Sequence, residues 1–149
     1  MSKLLRKSNA KKVFSVVLMS AIFISCFSPF IYAANKKSKY ESTLSFDSTC
    51  TGATRHYDGQ NIQISLLTYP TSITVSEFEN SIFSKQYGIT LYHKGWLWYS
   101  DKIGTVKPDV LKYTTSKWSN VGSGDYYFYF FKERNGVNIA SDEVIMENY

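Results

Sequence analysis

Short segments in which apolar and polar residues alternate recur along the chain, and turn-forming residues separate them. The alternation covers residues 43–47, 62–66, 73–76 and 89–92. In a β-strand, successive side chains point to opposite faces, so the side-chain pattern repeats every two residues. The pattern therefore predicts a series of short strands, most with one apolar face.

The last third of the chain carries six consecutive aromatic residues, Tyr126–Phe131. As a strand, this segment divides into two faces, with Tyr126, Phe128 and Phe130 on one and Tyr127, Tyr129 and Phe131 on the other. We expect either a central strand covered on both faces or a strand with one packed face and one face of half-exposed tyrosines. The pair Asn135-Gly136 predicts a two-residue hairpin turn from this strand to the apolar positions of residues 137–146.

One short helix is expected near residues 76–86. There Phe78 and Ile82 have helical spacing, and Ser76 with Glu79 matches a capping box. A strand followed by a loop is the alternative. About eight short strands without a long helix predict two packed sheets or a closed barrel, and non-helical connections favour antiparallel pairing. The expected fold class is all-β, an antiparallel two-sheet sandwich of jelly-roll-like arrangement.

The N-terminus has the three-part pattern of a bacterial secretory signal peptide, residues 1–33. A stretch with five basic and no acidic residues comes first, then an apolar run at Val13–Phe27, then a small-residue cleavage site that ends at Ala33. We expect cleavage after Ala33, a flexible mature N-terminus at 34–40 and a single secreted β-sandwich domain at 41–149.

Two alternatives stay open for this segment. A retained membrane anchor is the first, although the apolar run of about 15 residues is shorter than the roughly 20 that span a bilayer as a helix. A lipoprotein is the second, because Phe23–Cys26 resembles a lipobox with phenylalanine in the usual place of leucine. Ala33 is the better cleavage residue, so we expect no stable membrane anchor.

Cleavage would change both the charge and the cysteine count of the functional molecule. Five of the 17 basic residues and none of the 12 acidic ones precede the site, so residues 34–149 carry no net charge. Without a basic excess, nucleic acid is not expected as a partner. Cys50 would be the one remaining cysteine, which excludes an internal disulfide, and we interpret it as a buried, inert thiol.

Histidines and carboxylates are too scattered to predict a catalytic or metal site. His56 and His93 stand in no motif such as G-x-S-x-G or H-E-x-x-H, and each is interpreted as a surface histidine at a turn or strand end. The sequence has no D-x-[DN]-x-[DN]-G calcium loop, although sandwich loops can gather oxygen ligands from distant positions. We expect a protein that is not an enzyme, with no cofactor and no dedicated metal site.

The segment Trp96-Leu97-Trp98-Tyr99 gives the one functional hypothesis with a mechanism. On a strand, Leu97 in the core would leave Trp96 and Trp98 exposed as a platform for a sugar ring or a partner protein. The alternative is that both tryptophans fill the core. The candidate ligand-binding residues are Trp96, Trp98 and Tyr99, while Trp118 is expected to pack against the aromatic strand.

The stretch Trp118–Phe128, with Lys132 and Gly136 after it, resembles the Gly-x-Tyr-Tyr-Phe start of a strand in small secreted β-sandwich proteins of Gram-positive bacteria. Bacterial pre-peptidase C-terminal-type domains carry a comparable strand. The resemblance implies a sandwich fold and export, and it implies no particular activity.

Two functions follow as hypotheses. The first is a secreted binding module that recognises a carbohydrate, a cell-surface polymer or another protein through exposed aromatic residues. The second is a bacteriocin-like or competition effector that acts on other cells. A neutral mature chain argues against the second, because agents that attack anionic membranes are usually basic.

Overall fold

A computed structural model describes residues 37–97 and 99–149, which contain ten strands and one short helix. In chain order these are β1 (Lys39–Phe46), β2 (Thr49–Thr51), β3 (Arg55–Tyr57), β4 (Ile62–Leu67), β5 (Tyr69–Pro70), α1 (Val75–Asn80), β6 (Gly88–Lys94), β7 (Ser100–Val106), β8 (Tyr113–Trp118), β9 (Gly124–Phe131) and β10 (Ile139–Asn148). The predictions of a signal peptide at 1–33 and of a lipobox at Cys26 lie outside the described residues.

The strands form two antiparallel sheets. In the first sheet the order is β1-β10-β4-β8, and β5 also pairs with β10; in the second sheet the order is β2-β9-β6-β7, and β3 also pairs with β9. The partners are nested along the chain, since β1 pairs with β10, β2 with β9, β4 with β8 and β6 with β7. Nested pairing of this kind is the arrangement of a jelly roll. The predicted antiparallel two-sheet sandwich is confirmed.

The core lies between the two sheets, where alternate residues of each strand point inward. Ile62, Ile64 and Leu66 of β4 are buried, as is Phe128 of β9. Trp118 of β8 reaches across the sandwich, its ring centroid 5.7 Å from that of Phe128. The packing of Trp118 against the aromatic strand is therefore confirmed.

Strand β9 has the second of the two arrangements expected for it. The three buried rings are Tyr126, Phe128 and Phe130, and the three half-exposed rings are Tyr127, Tyr129 and Phe131. The alternation of the strand thus gives one face to the core and presents the other on the outside of the second sheet.

Helix α1 is shorter than expected and begins at a different cap. Thr74 is the N-cap residue, its Oγ1 accepts a hydrogen bond from the Glu77 backbone N–H (3.2 Å), and Glu77 Oε2 accepts one from the Thr74 N–H (2.8 Å). The capping box predicted for Ser76 and Glu79 is therefore wrong by two residues. The strand indicated by alternation at 73–76 is also wrong, because this cap starts the helix there.

One further local prediction, the hairpin at Asn135-Gly136, is wrong. The Asn135-Gly136 turn does not join a hairpin, because β9 and β10 belong to different sheets and the chain crosses between them at this point. Asn135 Oδ1 accepts a hydrogen bond from the Val137 N–H (3.1 Å), which stabilises the crossing. Strand β1 begins at Lys39, within the range 34–40 for which a flexible mature N-terminus is predicted, and it pairs with β10 from there.

Candidate ligand-binding groove

Trp96, Leu97 and Tyr99 lie in the loop of the β6–β7 hairpin, although a strand had been expected here. The Gly95 N–H donates to the Tyr99 carbonyl (2.9 Å) and closes the loop. Leu97 has a φ of 61°, a left-handed conformation that ends the alternation of strand faces. The prediction that Leu97 points to the core from a strand is therefore wrong.

The described residues of this loop have exposed side chains at the tip of the hairpin. Trp96 is 88 % exposed, Leu97 67 % and Tyr99 67 %. Trp98 lies outside the described residues. Leu97 is thus not a core residue. Of the predicted ligand-binding residues that the structure describes, Tyr99 lines a groove, and Trp96 is exposed but is not among the lining residues.

A groove of about 740 Å³, here called the aromatic groove, opens on the outer face of the second sheet. Its side chains come from β2 and the β2–β3 connection, from β6 and its hairpin loop, from the first residue of β7, and from β9. They are four tyrosines (Tyr92, Tyr99, Tyr127, Tyr129), three hydroxyl residues (Thr51, Thr54, Ser100), Leu97 and Lys94, with Gly52 at the edge. A volume in this range suits a small ligand or a few units of a polymer.

Stacked rings form the floor of the aromatic groove. Tyr92 and Tyr127 lie opposite each other in the β6–β9 ladder, with ring centroids 5.2 Å apart and planes 11° from parallel. Tyr129 meets Tyr92 edge-on at 6.4 Å and stacks on Phe131 at 5.9 Å. Each ring thus limits the movement of the next, so the floor has its shape before any ligand arrives.

The rings of Tyr92, Tyr127, Tyr129 and Phe131 are here called the aromatic row, and Gly88 allows this row to lie close to the sheet. Gly88 is opposite Phe131 in the ladder, and a Cβ atom at this position would lie 2.2 Å from Cζ of that ring. No real Cβ atom tolerates such a contact, so any larger residue would displace Phe131. The glycine therefore fixes the level of the aromatic row at the end away from the hairpin.

An interruption of the edge strand forms one wall of the aromatic groove. β2 pairs with β9 at Tyr129–Phe131 and β3 pairs with it at Gly124–Tyr126, so residues 52–54 bridge the gap. The Gly52 N–H donates to the Phe128 carbonyl (2.8 Å) in that gap. Thr54 of the bridging segment and Thr51, the last residue of β2, both line the groove.

His56 is part of a charged cluster at the hairpin end of the same face. Its Nδ1 lies 2.7 Å from Asp125 Oδ1 and its Nε2 lies 3.3 Å from Asp58 Oδ1. The hydrogen bond to Asp125, followed by the charges of both carboxylates, raises the pKa of His56 above its usual value. Asp125 precedes Tyr127 by two residues, which places both on one face. His56 is exposed, as expected of a surface histidine, but it lies on strand β3 and not at a turn.

His93 and Cys50 both pack against residues of the core. His93, at the end of β6, is half-buried, with its ring centroid 4.9 Å from that of Tyr126. Cys50 is a free thiol that packs against the core, but it is half-buried and not fully buried as expected. It lines a cavity of about 60 Å³ between β1 and β2, because these edge strands do not seal the sandwich completely.

In 37–97 and 99–149, no group of three or more histidine, cysteine and acidic residues could hold a metal ion. Within the same ranges, no helix is long and apolar enough to cross a membrane. No protein-family model and no curated protein sequence matches the chain, so a function has to be argued from its own residues.

Proposed function

We propose that the chain is a secreted, non-catalytic binding module whose aromatic groove takes a carbohydrate chain of a cell-surface polymer. The observation that carries the proposal is that four tyrosine rings and three hydroxyl side chains converge in one groove. Sugar rings have apolar faces that stack on aromatic rings, and their hydroxyl groups exchange hydrogen bonds with threonine and serine. Sites of this composition, apolar with a few placed polar groups, are typical of ligand binding.

The outer face of the first sheet differs from that of the second, and the difference supports the second sheet as the ligand-binding face. There Glu147 lies between Lys39 and Gln63 in the ladder, and Gln63 Nε2 donates to Glu147 Oε1 (2.6 Å). Lys37 forms an ion pair with the same carboxylate (2.9 Å). These polar groups satisfy one another, whereas the rings of the aromatic groove keep exposed faces. A sheet face needs no aromatic row for solubility, so the row is better explained by a ligand.

The lining of the groove supports binding without catalysis. Its described side chains include tyrosine, threonine, serine, leucine and Lys94, and no carboxylate or histidine is among them. Glycosidic bond hydrolysis generally uses two carboxyl groups, one on each side of the bond. His56, on the same face but outside the lining, is already engaged by Asp125 and Asp58.

The proposal is tested with a matched pair of tyrosine variants. Tyr99 is 67 % exposed and lines the groove, while Tyr113 is 64 % exposed and lies on the first sheet. The side chain of neither residue makes a hydrogen bond among the described residues, so each alanine variant should fold. Affinity electrophoresis through gels that contain soluble polysaccharides, followed by titration calorimetry on any that retard the protein, measures binding.

We expect at least one polysaccharide to bind, and Tyr99→Ala to weaken that binding by roughly 2–10-fold through loss of one stacking ring. Tyr113→Ala should bind like the unmodified protein. The proposal fails if no polysaccharide of a broad panel is retained, or if the two alanine variants bind equally well.

A further inference from the structure

Three basic residues have no partner among the residues that the structure describes. Lys94, Lys102 and Lys107 make no ion pair, hydrogen bond or ring contact there, whereas every other lysine and arginine in 37–97 and 99–149 makes at least one. Two of the three are at the aromatic groove. Lys94 lines it, and Lys102 lies opposite Tyr92 in the β6–β7 ladder and therefore on the same face.

The ladder places the two groove lysines close together. Lys94 pairs with Ser100, and Tyr92 pairs with Lys102, so the lysines are diagonal neighbours. Diagonal positions in an antiparallel pair are roughly 7–8 Å apart. Both side chains are long and flexible, so the two ammonium groups can reach a single anion beside the stacked tyrosines.

The carboxylates nearby do not neutralise these lysines. Asp101 stands between Ser100 and Lys102 on β7, so strand alternation directs it to the opposite face. Asp125 shares the face of the groove, but its Oδ1 is 2.7 Å from His56 Nδ1. Asp58 is bound to the other nitrogen of the same ring. At this end of the face, Lys94 and Lys102 are thus the charged groups that no described residue engages.

We infer that the ligand of the aromatic groove is an anionic carbohydrate, with a uronate carboxylate or a phosphate held between Lys94 and Lys102. The inference rests on the proposed function and adds the chemical class of its ligand. The tyrosines supply stacking, which any sugar ring accepts, and the lysine pair supplies the preference for charge. Because both ammonium groups are exposed, the attraction weakens with added salt.

The test compares charged and neutral forms of one polysaccharide. The probes are polygalacturonate, the same polymer after chemical reduction of its carboxyl groups, and a poly(glycerol phosphate). The protein variants are Lys94→Gln, Lys102→Gln and, as the matched control, Lys107→Gln, which removes an equally unpartnered lysine beyond the other end of β7. Thermal unfolding of each variant verifies that it is folded.

We expect at least one anionic polymer to bind more tightly than the reduced polymer, in a manner that salt weakens. Lys94→Gln and Lys102→Gln should each weaken anionic binding roughly 2–5-fold, and Lys107→Gln should leave it unchanged. The carboxylate and phosphate arms then tell which anion is preferred.

Three results would overturn the inference. The first is equal binding of the charged and reduced polymers, with Lys94→Gln unaltered; this leaves the proposed function intact if Tyr99→Ala still weakens binding. The second is a loss as large for Lys107→Gln as for Lys94→Gln, which indicates diffuse attraction and no site. The third is binding of neutral polysaccharides alone. Failure of the proposed function is different, because then Tyr99→Ala and Tyr113→Ala behave alike on every probe.

Discussion

The close packing of Gly88 against Phe131 predicts how Gly88→Ala changes the free energy of unfolding. The sign of that change depends on whether the Phe131 ring is present. Gly88 is buried, and its φ lies outside the left-handed region, so an alanine backbone is allowed there. The alanine Cβ would nevertheless lie 2.2, 2.3 and 2.7 Å from three carbon atoms of the Phe131 ring. In Gly88→Ala the ring must therefore leave its place in the aromatic row.

Two opposing terms set the size of the effect. Overpacking that moves a neighbouring side chain costs about 1–3 kcal/mol. Replacing glycine by alanine at an allowed backbone conformation stabilises by about 0.4–1 kcal/mol, because the unfolded chain loses freedom. We expect Gly88→Ala to lower the free energy of unfolding by about 1–2 kcal/mol. In a Phe131→Ala background the clash is absent, so Gly88→Ala should raise the free energy of unfolding by about 0.4–1 kcal/mol.

A double-mutant cycle measured by urea denaturation gives both numbers. The unmodified protein, Gly88→Ala, Phe131→Ala and the double variant are compared, with the m-value as a check that unfolding remains two-state. Gly88→Ala in a Tyr127→Ala background serves as the control. Tyr127 is in the same row but does not cover Gly88, so the destabilisation should persist there.

The reasoning is refuted if Gly88→Ala is neutral or stabilising in the otherwise unmodified protein. It is refuted equally if the substitution destabilises by the same amount with and without the Phe131 ring. In the latter case the cost would arise in the backbone of β6 and not in the aromatic row.

Two further predictions concern titration and capping. The pKa of His56, measured by NMR, should lie above 6.5 and fall towards 6.5 in Asp125→Asn. The protonated imidazole stabilises the fold at pH values below the unfolded-state pKa, and this contribution is lost as the pH rises through the raised pKa of the folded state. An unshifted His56 would mean that the Asp125 contact does not form. Thr74→Ala should cost about 1 kcal/mol in urea denaturation, because it removes the Oγ1 that caps α1. The pKa of Glu77, which the Thr74 N–H and then the Thr74 hydroxyl lower, should rise only in part, because alanine keeps the N–H; unchanged stability would contradict the capping box.

The strands that were predictable are those with one face in the core. β1, β4, β6 and β9 show alternation because their inward residues are apolar and their outward residues are mostly polar or half-exposed. β7 was missed because it is an edge strand without a single buried residue, so no alternation marks it. β2 and β3 were missed because each has three residues, too few to establish a period.

The candidate site was only partly predictable. The half-exposed face of β9 and the exposure of Trp96 were predicted from local patterns. The exposure of Tyr99 was not, because on a strand it would share the core-directed face of Leu97. The stacking of Tyr92 on Tyr127 did not, because it depends on β6 pairing with β9 in one register. The contact of His56 with Asp125 joins residues 69 positions apart and depends on the register of β3. Contacts of this kind are set by tertiary pairing, which a single sequence does not encode in any local period.

Strand β9 connects the stability of the domain with the function proposed for it. Its inward rings, such as Phe128, are buried in the core, while its outward rings, such as Tyr127, form the floor of the groove. Because a shift of register by one residue would exchange these two sets, the strong demand for aromatic residues in the core also fixes which rings face a ligand. The groove therefore inherits its rigidity from the core, and substitutions on the inward face should disturb binding only as far as they disturb folding.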